Sequence, residues 1–133
     1  MNYKAFTLVE VLATLIVLGI IMAIIVPNVF VSIDDTKLKT YAVKENEIIK
    51  ASNNYVLENN IALPQILNER IKIGLLDLTN NNYLSKIYDL TDNSLCVGYV
   101  YVTKTHTENY TYTPCIFCGT YQTDNVLCDI NEV

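Results

Sequence analysis

The sequence predicts an α+β protein: a long N-terminal helix, membrane-spanning and then amphipathic, packed on a small antiparallel β-sheet. Three observations predict it. An uncharged apolar run lies near the start, apolar residues at sevenfold spacing follow it, and residues in the second half alternate with the period of a strand. The 133 residues are 51% hydrophobic and only 17% charged. Soluble domains carry about 25% charge, so part of this apolar surface is expected to meet lipid or protein. The length suits one domain plus an appendage. A net charge of −5, from 9 basic against 14 acidic residues, excludes a basic domain built to grip phosphates, and nucleic acid is not an expected partner. One histidine and four cysteines leave little room for metal or acid–base chemistry, and no cofactor or catalytic residue is expected.

After Lys4 a single carboxylate, Glu10, precedes Asp34, so Val11 to Ile33 is a run of 23 uncharged residues. As a helix it covers about 35 Å, enough for a hydrocarbon core of about 30 Å. A secretory signal fits poorly, because its apolar stretch is about 7–15 residues long and a small-residue cleavage site follows it. Here Pro27-Asn28-Val29-Phe30 stands at that end, and the small residue, Ala5, stands before the run behind Met1-Asn2-Tyr3-Lys4. A cut there removes the leader and keeps the helix. A carboxylate placed centrally in a membrane helix costs about 2.5–3.5 kcal/mol, less near the interface, which makes Glu10 a functional candidate. Cleavage after Ala5 frees the α-amine of Phe6. That amine is about one turn from Glu10 in one helix, and it can pair with Glu10 directly between two helices offset along their axes. The plainer reading is that Glu10 complements the helix dipole.

Ala5-Phe6-Thr7-Leu8-Val9-Glu10-Val11-Leu12 resembles the prepilin cleavage and methylation motif of type IV pilins and type II secretion pseudopilins. The resemblance covers about the first 30 residues and implies a pilin-like fold. It implies cutting between Ala5 and Phe6 by a membrane aspartyl prepilin peptidase, then N-methylation of Phe6. Phe6, Thr7 and Glu10 become substrate and assembly residues rather than catalysts. Family leaders most often end in Gly; this one ends in Ala5, which implies slower cleavage. Gly19 and Pro27 stand where many pilin helices carry Gly and Pro. There Pro27 removes an N–H and Gly19 adds backbone freedom, so the helix can loosen between them in a filament. The implied partners are copies of itself or other pilin-like subunits, the peptidase, an assembly ATPase with its membrane platform, and lipid before assembly. The implied location is a single-pass membrane protein with a cytoplasmic leader and an external head, then a surface filament. The alternative is a signal-anchored protein whose external binding head does not polymerise. Major and minor pilins and secretion and competence pseudopilins share this N-terminus.

The expected organisation is a leader (1–5), a transmembrane and assembly helix (6–33), its amphipathic continuation (34–60) and an α+β head (61–133). Asp34-Asp35 mark the membrane interface. Tyr41, Ile48 and Tyr55 share one face, with Leu38, Val43, Ile49 and Val56 beside them. One helix from Phe6 to Asn59 would be about 80 Å long. Pro64 suits the start of a second helix reaching about Arg70. Leu75 to Leu84 reads as a helical turn ended by asparagines. It is similar to the Asp-Leu…Gly-Tyr-Leu segment of many pilin-like heads, with Asn82 in place of the usual Gly. Leu95 to Thr103 reads as a strand with Cys96, Gly98, Val100 and Val102 on one face and Val97, Tyr99, Tyr101 and Thr103 on the other. Asn109 to Thr113 is a second strand after a turn at 105–108, and Ile116 to Gln122 a third.

Cys96, Cys115, Cys118 and Cys128 form an even set in an exported head, which favours disulfides in one of three connectivities. Cys96 suits Cys115 or Cys118, leaving Cys128 to staple the tail. A four-thiolate zinc site around Cys115-Ile116-Phe117-Cys118 and free thiols are the alternatives; no metal is assigned. A thioredoxin-like role lacks its βαβ context. His106 stands alone as a solvated loop residue, since a catalytic base needs a positioned partner. Asn109-Tyr110-Thr111 has the form of a glycosylation sequon, a short and unspecific pattern.

Overall fold

Apolar residues need a cover, and this chain contains one apolar stretch that the described residues leave uncovered and another set that they bury. The structure, a computed structural model, describes residues 5–133 and omits the side chains of 27–31. The leader residues 1–4 and the side chain of Pro27 therefore lie outside the described residues. In order come helix α1 (Leu8–Glu58), strand β1 (Arg70–Gly74), helix α2 (Leu75–Asn80), strands β2 (Val97–Lys104) and β3 (Tyr110–Phe117), and a 3-10 turn (Ile130–Glu132). The chain divides into two compact units, Met1–Lys39 and Thr40–Val133.

In the first unit, Leu8–Val26 is a stretch of 19 residues, apolar enough to cross a membrane and with none of its surface buried by protein. At 1.5 Å per residue it measures about 28 Å, close to a hydrocarbon core. Its Val and Ile residues are mediocre helix formers in water, but in lipid a helix satisfies every backbone group internally. The Thr14 hydroxyl donates back to the Val11 carbonyl at 2.8 Å, so it too is satisfied within the helix. The helix runs on through Gly19 and Pro27.

In the second unit, the sevenfold pattern on α1 places Tyr41 and Ile48 in the interior and its third member, Tyr55, half-buried, with Val56 buried beside it. Ala51 and Ser52 complete the buried face. The sheet has order β1-β2-β3, antiparallel throughout, pairing Ile73 with Val100 and Val100 with Pro114. Because side chains alternate along a strand, its two faces build two cores. On one face Ile73, Val100, Val102 and Ile116 pack with Ile48, Ala51 and Val56 of α1 and with Leu75 and Leu78 of α2. On the other, Tyr99, Tyr101, Cys115 and Phe117 gather with Cys128. The observed faces of β2 follow the alternation expected from the sequence. Gly98 is required by close approach: a Cβ there would run into the Cys115 carbonyl oxygen of β3.

Two expected elements differ. No helix forms between Pro64 and Arg70. Asn68 turns the backbone into the left-handed region (φ 65°), and the Asn68 and Lys104 N–H groups bond to the Lys104 and Glu69 carbonyls at 2.9 and 3.1 Å. That ladder draws residues 70–74 into the sheet as β1, where Ile71 and Ile73 face the main core while Arg70 and Lys72 lie over the rings of Tyr101 and Tyr99. The third strand is therefore β1 and not Ile116–Gln122. Tyr110 to Phe117 is one uninterrupted strand, followed by a single bridge from Phe117 to Gln122. Pro114 is tolerated within it because β3 is an edge strand. Helix α1 also starts two residues later than Phe6 and ends at Glu58. The asparagine after α2 is consistent with its place in the sequence: Asn82 adopts φ 61°, a conformation that favours Gly or Asn.

Ile48 is fully buried, so Ile48→Ala should cost about 2–5 kcal/mol. Ser52 is also fully buried, and its hydroxyl has no hydrogen-bond partner among the described residues. Ser52→Ala, which removes an unsatisfied group, should be neutral or stabilising by about 1 kcal/mol. Denaturant unfolding of the full chain in detergent micelles separates the two outcomes.

Candidate functional site

The segment that resembles a processing motif sits at the start of α1. Ala5, Phe6 and Thr7 are exposed and non-helical, and the helix begins at Leu8. Thr7 sets that start. Its side-chain Oγ1 accepts the Glu10 N–H at 3.3 Å, and its carbonyl accepts the Glu10 and Val11 N–H groups at 3.1 and 3.2 Å. A helix leaves its first N–H groups without intrahelical partners, and a threonine in this position satisfies one of them. Glu10 lies at the third helical position, where its negative charge complements the dipole. Thr7 and Glu10 are thus brought together as cap and first-turn acid.

Glu10 also stands at one end of a shallow groove lined by Ala13, Thr14, Val17 and Leu18. These positions recur at helical spacing, so the groove is a stripe along one face. Around the carboxylate the lining is almost wholly apolar, with Thr14 the other polar side chain. Phe6 is 77% exposed. Further along, nothing lies within 4 Å of where a Cβ on Gly19 would stand, so that glycine leaves open space on the helix surface.

In the second unit the sulfur atoms serve as crosslinks. Cys96 is bonded to Cys118 and Cys115 to Cys128, which leaves no free cysteine. Cys115 and Cys118 point to opposite faces of the strand end and join different bridges, so they do not form a redox pair with each other. The first bridge borders the main core. The second ties residues 124–133 against the Tyr99–Tyr101 face, where the Asp129 N–H donates to the Tyr99 hydroxyl at 2.9 Å and Lys72 Nζ donates to the Glu132 carbonyl at 2.6 Å. The Tyr101 hydroxyl donates to the Glu132 carboxylate, which together with burial pushes its pKa up to about 12. His106 is exposed in the β2–β3 turn, where its backbone N–H donates to the Asn109 carbonyl.

Two polar nodes escaped the sequence reading. Asp89 is 3% exposed. It accepts the Thr91 N–H at 2.6 Å, the Thr120 N–H at 2.6 Å and the Thr120 hydroxyl at 2.8 Å, tying two loops together. Burial alone would raise its pKa, but these donors outweigh burial and hold it at about 2. Glu45 on α1 accepts the hydroxyls of Tyr121 (3.0 Å) and Thr123 (2.7 Å), beside the stacked rings of Tyr41 and Tyr121. The sequence signals were local. Thr7-x-x-Glu10 has the form of a capping box, and Asp89-x-Thr91 that of an Asx-turn.

Residues 1–26 match the family described as the prokaryotic N-terminal methylation motif. The match supports a type IV pilin-like precursor of the kind processed by prepilin peptidase, and the apolar helix is of the length that anchors such a precursor in a membrane. The α+β architecture, a long N-terminal apolar helix with a small antiparallel sheet, is consistent with a pilin-like fold. No curated protein and no solved structure matches the chain.

The lowered pKa of Asp89 sets an acid limit on the second unit. A carboxylate depressed in the fold contributes stability that is complete above its unfolded pKa, about 3.9, and lost as pH falls through its folded value. Thermal unfolding should therefore show stability dropping between about pH 4 and pH 2. Asp89→Asn should lower the melting temperature at neutral pH and flatten that acid limb.

Proposed function

We propose that the chain is a structural subunit of a type IV pilus-like or pseudopilus filament. Prepilin peptidase cuts it between Ala5 and Phe6, Phe6 is N-methylated, and residues 6–33 hold it in the membrane with the leader inside and the head outside. An assembly ATPase and its membrane platform then move it into a filament, where α1 packs against neighbouring subunits. The observation that carries this reading is one coincidence. The processing motif occupies the end of a helix that is apolar, unburied and marked near its start by a single carboxylate.

Each part of the motif then has a physical task. Lipid covers the apolar residues before assembly, and other subunits cover them after it. Within a filament, the Phe6 amine of one subunit meets Glu10 of another. A buried pair of this kind serves register better than net stability. Gly19 and Pro27 bracket the segment where the helix can stretch once neighbours surround it.

Two measurements test the proposal. Mass spectrometry of the protein from its native membrane should show loss of residues 1–5 and a methyl group on Phe6. An intact Met1 in cells with an active peptidase would instead support a non-polymerising, signal-anchored head. Glu10→Val should insert in the membrane normally. Removing one member of a buried pair typically costs about 3–5 kcal/mol, so incorporation into sheared filaments should fall by more than about tenfold. Stoichiometric Glu10→Val in normal filaments would rule out the pairing role.

A further inference from the structure

We propose that Thr7 is a positioning residue for leader cleavage: its cap ends the helix at Leu8 and so keeps the Ala5–Phe6 bond in exposed, non-helical backbone. The inference rests on the processing reading above and adds a role for one residue within it. Hydrolysis of that bond adds water across the amide. The Ala5 carbonyl carbon takes the oxygen, the C–N bond breaks, and Phe6 leaves as the amine. Were residues 5–7 helical, the Ala5 carbonyl would accept the Val9 N–H, and local unfolding would have to precede attack. In the structure the Glu10 N–H, which an extended helix would give to the Phe6 carbonyl, goes to the Thr7 hydroxyl and carbonyl instead, and Ala5, Phe6 and Thr7 lie outside the helix.

The cap matters more here because of the residue before the cut. Alanine is the best helix former, and glycine is worse by about 1 kcal/mol. A leader ending in Gly carries its own helix stop. Ala5 does not, and the residue after the cut, Phe6, is no strong breaker either. Loss of the cap would not simply fray the first turn. Leu8 to Val26 is of lipid-spanning character, and unpaired N–H groups near hydrocarbon are costly. The helix would grow upstream into residues 5–7 until it found another cap.

The test follows leader loss by mass spectrometry for the full-length chain in membranes with active prepilin peptidase. If capping is the cause, the rates rank by capping ability rather than by shape. Thr7→Ser and Thr7→Asn should cleave within about twofold of the natural chain. Thr7→Ala and Thr7→Val, the latter nearly isosteric, should slow by roughly 2- to 30-fold, the span a lost cap corresponds to. Ala5→Gly added to Thr7→Ala should restore most of the rate. In micelles, amide exchange at residues 6 and 7 should become slower in Thr7→Val as the helix extends. Cleavage of Thr7→Val at the natural rate, or equal slowing by Ser and Val, overturns the inference while leaving the processing reading in place. A natural chain left uncut by an active peptidase overturns both.

Discussion

Nineteen residues at the start of one helix have no protein surface to cover them, and water is a poor neighbour for side chains that are nearly all aliphatic. This constraint governs the rest of the molecule. A buried core helix of that length would need a far larger domain around it. The available covers are lipid or an apolar surface of another protein, and both keep the backbone satisfied only while the segment stays helical. A chain under that constraint benefits from a defined helix start, and Thr7 provides one two residues after the small leader-end position.

The second unit solves the covering problem internally, with a different device on each face of its sheet. On one side α1 and α2 bury aliphatic residues of β1, β2 and β3. On the other there is no helix, and a tyrosine-rich surface is covered by the segment 124–133 through a disulfide and a few hydrogen bonds. The hydroxyls explain why tyrosine suits this face. Tyr99 and Tyr101 bury their rings and use their polar tips to grip the covering segment. Arg70 and Lys72 add cations over those rings from the neighbouring strand. A domain this small often needs crosslinks to compensate for a modest core, and here each of the two cores borders one bridge.

What could be read in advance was whatever had a local period. The spacing of Tyr41, Ile48 and Tyr55 showed the inner face of α1, and the alternation along 96–103 showed both faces of β2. Strand β1 was missed because Arg-Ile-Lys-Ile has only two apolar residues, and a preceding proline suggested a helix. Its strand character comes from pairing with β2, a contact 25 to 33 residues distant that no local pattern announces. The disulfide partners depended in the same way on the path of the whole chain, for spacing alone left three connectivities. Asp89 was legible only as a turn residue, since its second loop, at Thr120, is remote in sequence. At residues 5–12 the order of residues carried the resemblance to a processing motif. The cap geometry needed the structure to show which of Phe6, Thr7 and Leu8 opens the helix.

The placement of that first turn also bears on how a trimmed subunit would meet its neighbour. Cutting after Ala5 leaves two residues ahead of Leu8, a short arm with a reach of about 7 Å when extended. An amine fixed on a helical first turn would point along the axis, and its position would dictate one offset between adjacent stalks. On a non-helical arm the same charge can be directed sideways toward a carboxylate. The pair would then admit only the offsets that bring a carboxylate within that reach, and the interlocking of aliphatic ridges would choose among them.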